Sequence, residues 1–212
     1  MHAEIEAMLN IANLSRISTT QLRATLKSWL ASADQDCLVH PHGFFVCHLR
    51  TVDGEDWRFH LWPEGERQLT GVPAMIHNHD TVVVSRILQG ELTNVLYNVT
   101  PNQSGGLPVY EVQYLGNKYK RSSENQLIKS TRRVDLTVSS RITYVEGDAY
   151  SIARHIHHEA IVPVGTTTAT LVCMHSRSDG PVEVIGRDDF PSTVSFQRNT
   201  IELGAVMAML AD

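Results

Sequence analysis

Ala74-Met75-Ile76-His77-Asn78-His79-Asp80 runs directly into Thr81-Val82-Val83-Val84-Ser85-Arg86-Ile87-Leu88 and then a Gln89-Gly90-Glu91 turn. In an extended chain, residues i and i+2 project from the same face. His77 and His79 therefore point into one cavity and can share one metal ion. Imidazole is the commonest side-chain ligand for zinc, iron, copper and nickel. Two ligands do not make a site, so the remainder of the chain must supply a third.

Around this stretch the chain reads as a series of short strands. Gly43–Arg50 and Trp57–Trp62 come before it, separated by a Val52–Asp56 turn. Further strands are expected at 81–89, 92–99, 109–115, 140–145, 149–153, 157–162, 167–175 and 182–185, with Gly, Pro, Asn and Asp at most junctions. Such spacing implies an antiparallel sandwich or barrel. Two helices are expected at 3–14 and 19–33. In the second, Thr19 or Thr20 caps, and Leu22, Leu26, Trp29 and Leu30 share a face. A capped C-terminal helix is expected from Asn199 through Val206 and Leu210. Residues 101–108 form a Pro/Gly/Ser loop, and the polar segment 117–138 is expected to be a long excursion or mobile loop. The chain thus divides into a helical segment (1–42), a β-barrel (43–198) and a terminal helix (199–212).

The 212 residues carry a net charge of −5 and no long basic run, so neither nucleic acid nor an anionic membrane is an expected partner. The cluster Lys118, Lys120, Arg121 reads as a solvated loop. No segment reaches the roughly 18 apolar residues of a membrane span, and no basic-then-apolar leader is evident at the N-terminus. Cys37, Cys47 and Cys173 are odd in number and widely spread, which suits reduced thiols in a cytoplasmic protein.

The second histidine cluster lies in Gly147-Asp148-Ala149-Tyr150-Ser151-Ile152-Ala153-Arg154-His155-Ile156-His157-His158-Glu159. His158 is the candidate third ligand. His155 and His157 are the alternatives, although adjacent strand residues face opposite sides and His157 suits the outer face. Alternation also puts Arg58, His60 and Trp62 on one side, so His60 is a candidate to face the cavity. His40 and His42 flank Pro41 in a loop and are read as having no part in the site.

The pattern resembles the cupin superfamily, small β-barrels built on two motifs. Gly71 stands five residues before His77, His79 completes the pair, and Gly90 supplies the turn; Gly147 and His158 fit the second motif. The resemblance covers roughly residues 57–175. It implies an all-β fold, the cupin double-stranded β-helix or jelly-roll barrel, with N-terminal helices and a short C-terminal helix. It also implies pairing into a homodimer through strand edges or terminal helices. Many cupins carry a ligating Glu three or four residues after the second His; this chain has Val83 there, which cannot ligate.

A three-histidine cupin of this kind is similar to the cysteine dioxygenase-like family of thiol dioxygenases. The similarity rests on Phe59-His60-Leu61-Trp62, Ile76-His77-Asn78-His79, Leu88-Gln89-Gly90-Glu91-Leu92 and the strand ending Cys173-Met174-His175. Where that family has a Ser-x-His-x-Tyr array, this chain has Cys173-x-His175-x-Arg177, so only the His matches. The resemblance makes His175 a candidate hydrogen-bonding or proton-handling group beside the metal, Cys173 a further candidate catalytic residue, and Arg50 the candidate anchor for a substrate carboxylate. It implies a mononuclear non-heme Fe(II) dioxygenase, an oxidoreductase using O2 on a small molecule that binds the metal: a thiol, an amino acid or a secondary-metabolite ring. Zn, Ni and Mn are the alternative metals. They go with two alternative functions, a non-redox cupin isomerase or lyase and a non-catalytic small-molecule-binding cupin.

Overall fold

The computed structural model describes residues 8–32, 37–67, 72–115 and 124–211. It begins with a short 3-10 turn at Ile11–Asn13 and then helix α1, Thr19–Ser32. The helix expected over 3–14 is thus, within the described residues, a single turn. Ser18 rather than Thr19 or Thr20 caps α1, its Oγ accepting from the Gln21 N–H at 3.2 Å. Leu22, Leu26 and Leu30 follow at four-residue spacing and are fully buried, with Trp29 at the edge of the same face.

Thirteen strands follow among the described residues. Cys37–His40 (β1), Phe44–Val52 (β2), Glu55–Trp62 (β3), Val82–Gln89 (β4), Ala149–Ile152 (β8), Thr168–His175 (β10) and Thr200–Ile201 (β13) form one antiparallel sheet, in the order β13-β1-β2-β3-β10-β4-β8. Glu91–Pro101 (β5), Leu107–Leu115 (β6), Glu124–Val145 (β7), His157–Ile161 (β9) and Glu183–Ile185 (β11) form the second, in the order β11-β6-β7-β5-β9, with Thr193–Phe196 (β12) paired to β7. The fold is a mostly-β jelly-roll of the cupin type. The C-terminal helix α2 is confined to Leu203–Ala208, because Thr200–Ile201 pairs with β1 as a strand and Glu202 is the N-cap. The expected segment boundary at 42/43 therefore falls inside the β1–β2 hairpin. Segment 124–138, expected as a loop, is the first two thirds of the 22-residue strand β7. Gly71 and the Lys118–Arg121 cluster lie outside the described residues.

Alternation along β3 and β10 divides the first sheet cleanly. Trp57, Phe59, Leu61, Leu171 and Cys173 face outward into a core shared with α1 and α2, alongside Leu26 and Val206. Arg58, His60, Trp62, Thr170, Val172 and Met174 face the barrel interior. Arg23 of α1 fixes the helix to the barrel: Nη1 donates to the Leu88 carbonyl at 2.6 Å and pairs with Glu146 at 2.7 Å. The turn at Gly90 has φ +72, and a Cβ there would come within 2.6 Å of the Thr167 carbonyl, so only glycine fits.

Cys37 and Cys47 stand directly opposite each other on β1 and β2 and form a disulfide, leaving Cys173 free. This corrects the expectation of three reduced thiols, and with it the thiol-based case for a cytoplasmic setting, since disulfides persist in oxidising compartments. Thiol titration in denaturant is expected to find one thiol per chain; three would contradict the pairing. Closing a loop of this length stabilises by about 2–3 kcal/mol, so Cys37→Ala/Cys47→Ala should lower the unfolding free energy by that amount in denaturant melts. Among the described residues, no helix is long and apolar enough to cross a membrane.

Candidate metal centre

The segment bearing His77 lies between two strands of the second sheet. The His77 N–H donates to the His158 carbonyl at 3.0 Å, and the His158 N–H returns a bond to the His77 carbonyl at 2.8 Å. The two histidines are thus a hydrogen-bonded antiparallel pair whose side chains share a face. On its other side His77 bridges Val184 of β11. Asn78 points the opposite way and is buried, its Oδ1 accepting the Glu183 N–H at 2.7 Å. That bond fixes the alternation that turns His79 back toward His77.

The result is a cluster of three imidazoles. One ligand atom each from His77, His79 and His158 lies within 4.8 Å of the others, and no comparable group of His, Cys, Asp or Glu occurs among the described residues. Two rings are oriented by their second nitrogens. His77 Nδ1–H donates to the Met75 carbonyl at 2.7 Å, and His158 Nδ1–H to Asn94 Oδ1 at 3.3 Å. Both leave Nε2 for the cavity, and His158 Nε2 is buried with no hydrogen-bond partner. Burial is the main cause that holds the rings neutral: His77 falls to about 4 despite its bond to Met75, and His79 and His158 fall well below the ordinary histidine value, with neighbouring rings adding to the effect. Neutral, pre-oriented nitrogens around an orphaned buried acceptor are the donor set of a divalent metal site. Val83 lines the same cavity, so the position of the expected fourth ligand is apolar.

Two chambers meet at the triad. The inner one, about 70 Å³, is mainly apolar, walled by Phe44, Trp62, Val83, Tyr150, Ile152 and Val172. The outer one, about 80 Å³, is mixed in character: His42, Arg58, Tyr114 and Arg198 line it together with Val72, Val112 and Phe196. Each has room for several water-sized groups. His60 faces the inner chamber and is lowered to about 3, first by burial and then by Arg58. Arg58 touches both chambers and pairs with Asp56 through Nε at 3.1 Å.

Several expected residues lie elsewhere. Cys173 points into the helix-facing core, and burial pushes its thiol up to about 12, so it is inert. His175, on the same face of β10, bonds Ser176 Oγ at 2.8 Å and borders a surface groove with Thr51 and Asp53. Arg50 lines neither chamber. The physical reason is strand parity: on β10 the interior positions are Thr170, Val172 and Met174, and on the β2–β3 side Arg58 rather than Arg50 projects inward. His157 also faces away, toward Glu183 at 3.3 Å, and His155 bonds Ser178 Oγ at 3.0 Å. His42, Arg58, Tyr114 and Arg198 were not singled out as site residues; for Arg58 the signal was its shared face with His60.

No known protein-family model matches the chain, and no curated protein matches it. Among solved structures, KdgF from Halomonas sp. is similar over 66% of this chain and 86% of its own, at 14% identity and a TM-score of 0.34. An RmlC-like cupin from Shewanella frigidimarina is similar over 69% and 88%, at 14% identity and a TM-score of 0.36. An oxalate decarboxylase variant from Bacillus subtilis is similar over 69% of this chain and 29% of its own, at 9% identity and a TM-score of 0.37. Likeness at this level leaves the metal and the reaction to rest on the chain's own residues.

Proposed function

We propose that this chain is a mononuclear metal-dependent enzyme acting on a small molecule that itself binds the metal. The supporting observation is the convergence of three neutral imidazoles from His77, His79 and His158 on one buried point. A divalent ion held there supplies Lewis-acid polarisation of a substrate oxygen or nitrogen. The residues around it suit a non-redox isomerisation or elimination. The outer chamber presents the Arg58 guanidinium to negative charge on the substrate, and the apolar chamber walled by Val83, Ile152 and Val172 keeps bulk water from the reacting face. Zinc, nickel or manganese suits that chemistry.

A second reading is an Fe(II), O2-dependent dioxygenase. It is favoured by Val83, which leaves an all-histidine donor set with open positions beside an apolar chamber. It is weakened for thiol substrates because Cys173 and His175 point away from the cavity. Metal analysis and O2 uptake separate the two. The non-redox reading expects zinc, nickel or manganese to co-purify, and the iron-reconstituted protein to consume no O2 with a panel of thiols and hydroxylated heterocycles. Iron near one equivalent, with O2 uptake on adding one of these compounds, would transfer the assignment to the dioxygenase.

A further inference from the structure

His42 belongs to neither histidine motif, yet it reaches the site. The β1–β2 hairpin turn is His40-Pro41-His42-Gly43, closed by a bond from the Gly43 N–H to the His40 carbonyl at 2.8 Å. Pro41 suits the second position of such a turn, and Gly43 takes φ +74. The His42 N–H donates to His40 Nδ1 at 3.2 Å, and the Cys37–Cys47 disulfide ties the base of the same hairpin. The turn is therefore held over the barrel mouth. His42 is 5% exposed, and its ring packs on His77 with centroids 4.4 Å apart, closer than any pair within the triad.

One ring nitrogen of His42 is engaged by the backbone of Ala74. Nε2 is buried without a hydrogen-bond partner, in the chamber that His77 and His79 also line. A neutral imidazole that donates through Nδ1–H to a carbonyl has a lone pair left on Nε2. A buried acceptor with no donor is unfavourable, and a bound ligand carrying a proton would relieve that cost. His42 lies outside the group whose ligand atoms are mutually within 4.8 Å, so the role that fits it is to touch what the metal binds rather than to ligate.

We propose that His42 accepts a hydrogen bond from an O–H or N–H of the molecule bound at the triad, and so selects substrates that carry a hydroxyl or amine next to their metal-binding atom. This rests on the three-histidine metal site. The test uses the full chain loaded with cobalt(II), titrated with glycolate and with acetate, which lacks the hydroxyl, and followed by the visible cobalt spectrum. Wild type should bind glycolate more tightly than acetate, by about tenfold beyond what chelation through the hydroxyl supplies, the worth of one buried hydrogen bond. His42→Phe, which keeps a ring in the same space, and His42→Ala should each lose that tenfold contribution while retaining the metal. His42→Gln, with an amide oxygen as acceptor, should recover part of it. Equal binding of the two acids by wild type, or a preference undiminished in both His42→Phe and His42→Ala, would overturn the role of His42. Failure of wild type to take up cobalt would instead overturn the three-histidine site.

Discussion

Replacing His158 with alanine is expected to lower metal affinity by at least about 100-fold, since losing even an outer partner of a metal ligand costs roughly 10- to 100-fold. His158 supplies one of three nitrogens, and its backbone is locked to His77 by two hydrogen bonds, so no neighbouring residue can swing in to replace it. The adjacent His157 is the matched control. It is buried to a similar degree but faces Glu183 on the far side of β9, so His157→Ala should retain the metal. His175→Ala should retain it too. Competition against a chromophoric chelator measures all three variants. Equal affinity of His158→Ala and wild type would remove His158 from the site, and loss of metal in His157→Ala would mean that the strand presents its other face.

The metal-free protein is expected to lose much of its stability between pH 7 and pH 5. His77 and His60 titrate at about 4 and about 3 in the folded chain because burial disfavours their charged forms. An unfolded histidine titrates near 6.5, so between these values the unfolded state binds more protons than the folded one. Stability from these rings is therefore complete above about 6.5 and is lost as pH falls through the window down to 4 and 3. At pH 5 each ring contributes up to about 2 kcal/mol of that loss, at 1.36 kcal/mol per pH unit. His40, His42, His79 and His158 shift in the same direction. A loss of about 4 kcal/mol or more is a large part of the roughly 5–15 kcal/mol that holds a typical domain folded. Asp56 and Glu183 are lowered below the usual carboxylate range, so their contribution is lost only at still lower pH. Denaturant melts of metal-free protein at pH 7 and pH 5 check this, with metal-loaded protein as the comparison, since bound metal keeps the triad deprotonated. Coincident midpoints for the metal-free protein at the two pH values would contradict the burial of neutral histidines.

The fold and the triad were legible because two-residue alternation carries both. His77 and His79 share a face by spacing alone, and the parity that separates His158 from His157 follows once β9 is taken as a strand. Alternation failed where both faces are covered. Every residue from Thr168 to Met174 is buried, so the β10 sequence gives no sign that Cys173 faces the helices and Val172 the cavity. It also failed on β7, whose long exposed face fills segment 124–138 with polar residues that read as a loop. The disulfide depends on the register of a hairpin that spacing does not reveal. His42 reaches the triad through the packing of that hairpin's turn against a segment 35 residues away in sequence, a contact no local pattern encodes.

The central claim is that His77, His79 and His158 hold one divalent ion. X-ray absorption at the metal edge of the purified full-length protein tests it most directly. The account predicts one ion per chain, with a nitrogen and oxygen coordination shell whose multiple-scattering pattern counts three imidazoles and falls to two in any residual metal of His158→Ala. A chain that takes up no ion when supplied with zinc, iron or manganese, or a shell with sulfur or with fewer than three imidazoles in wild type, would contradict it.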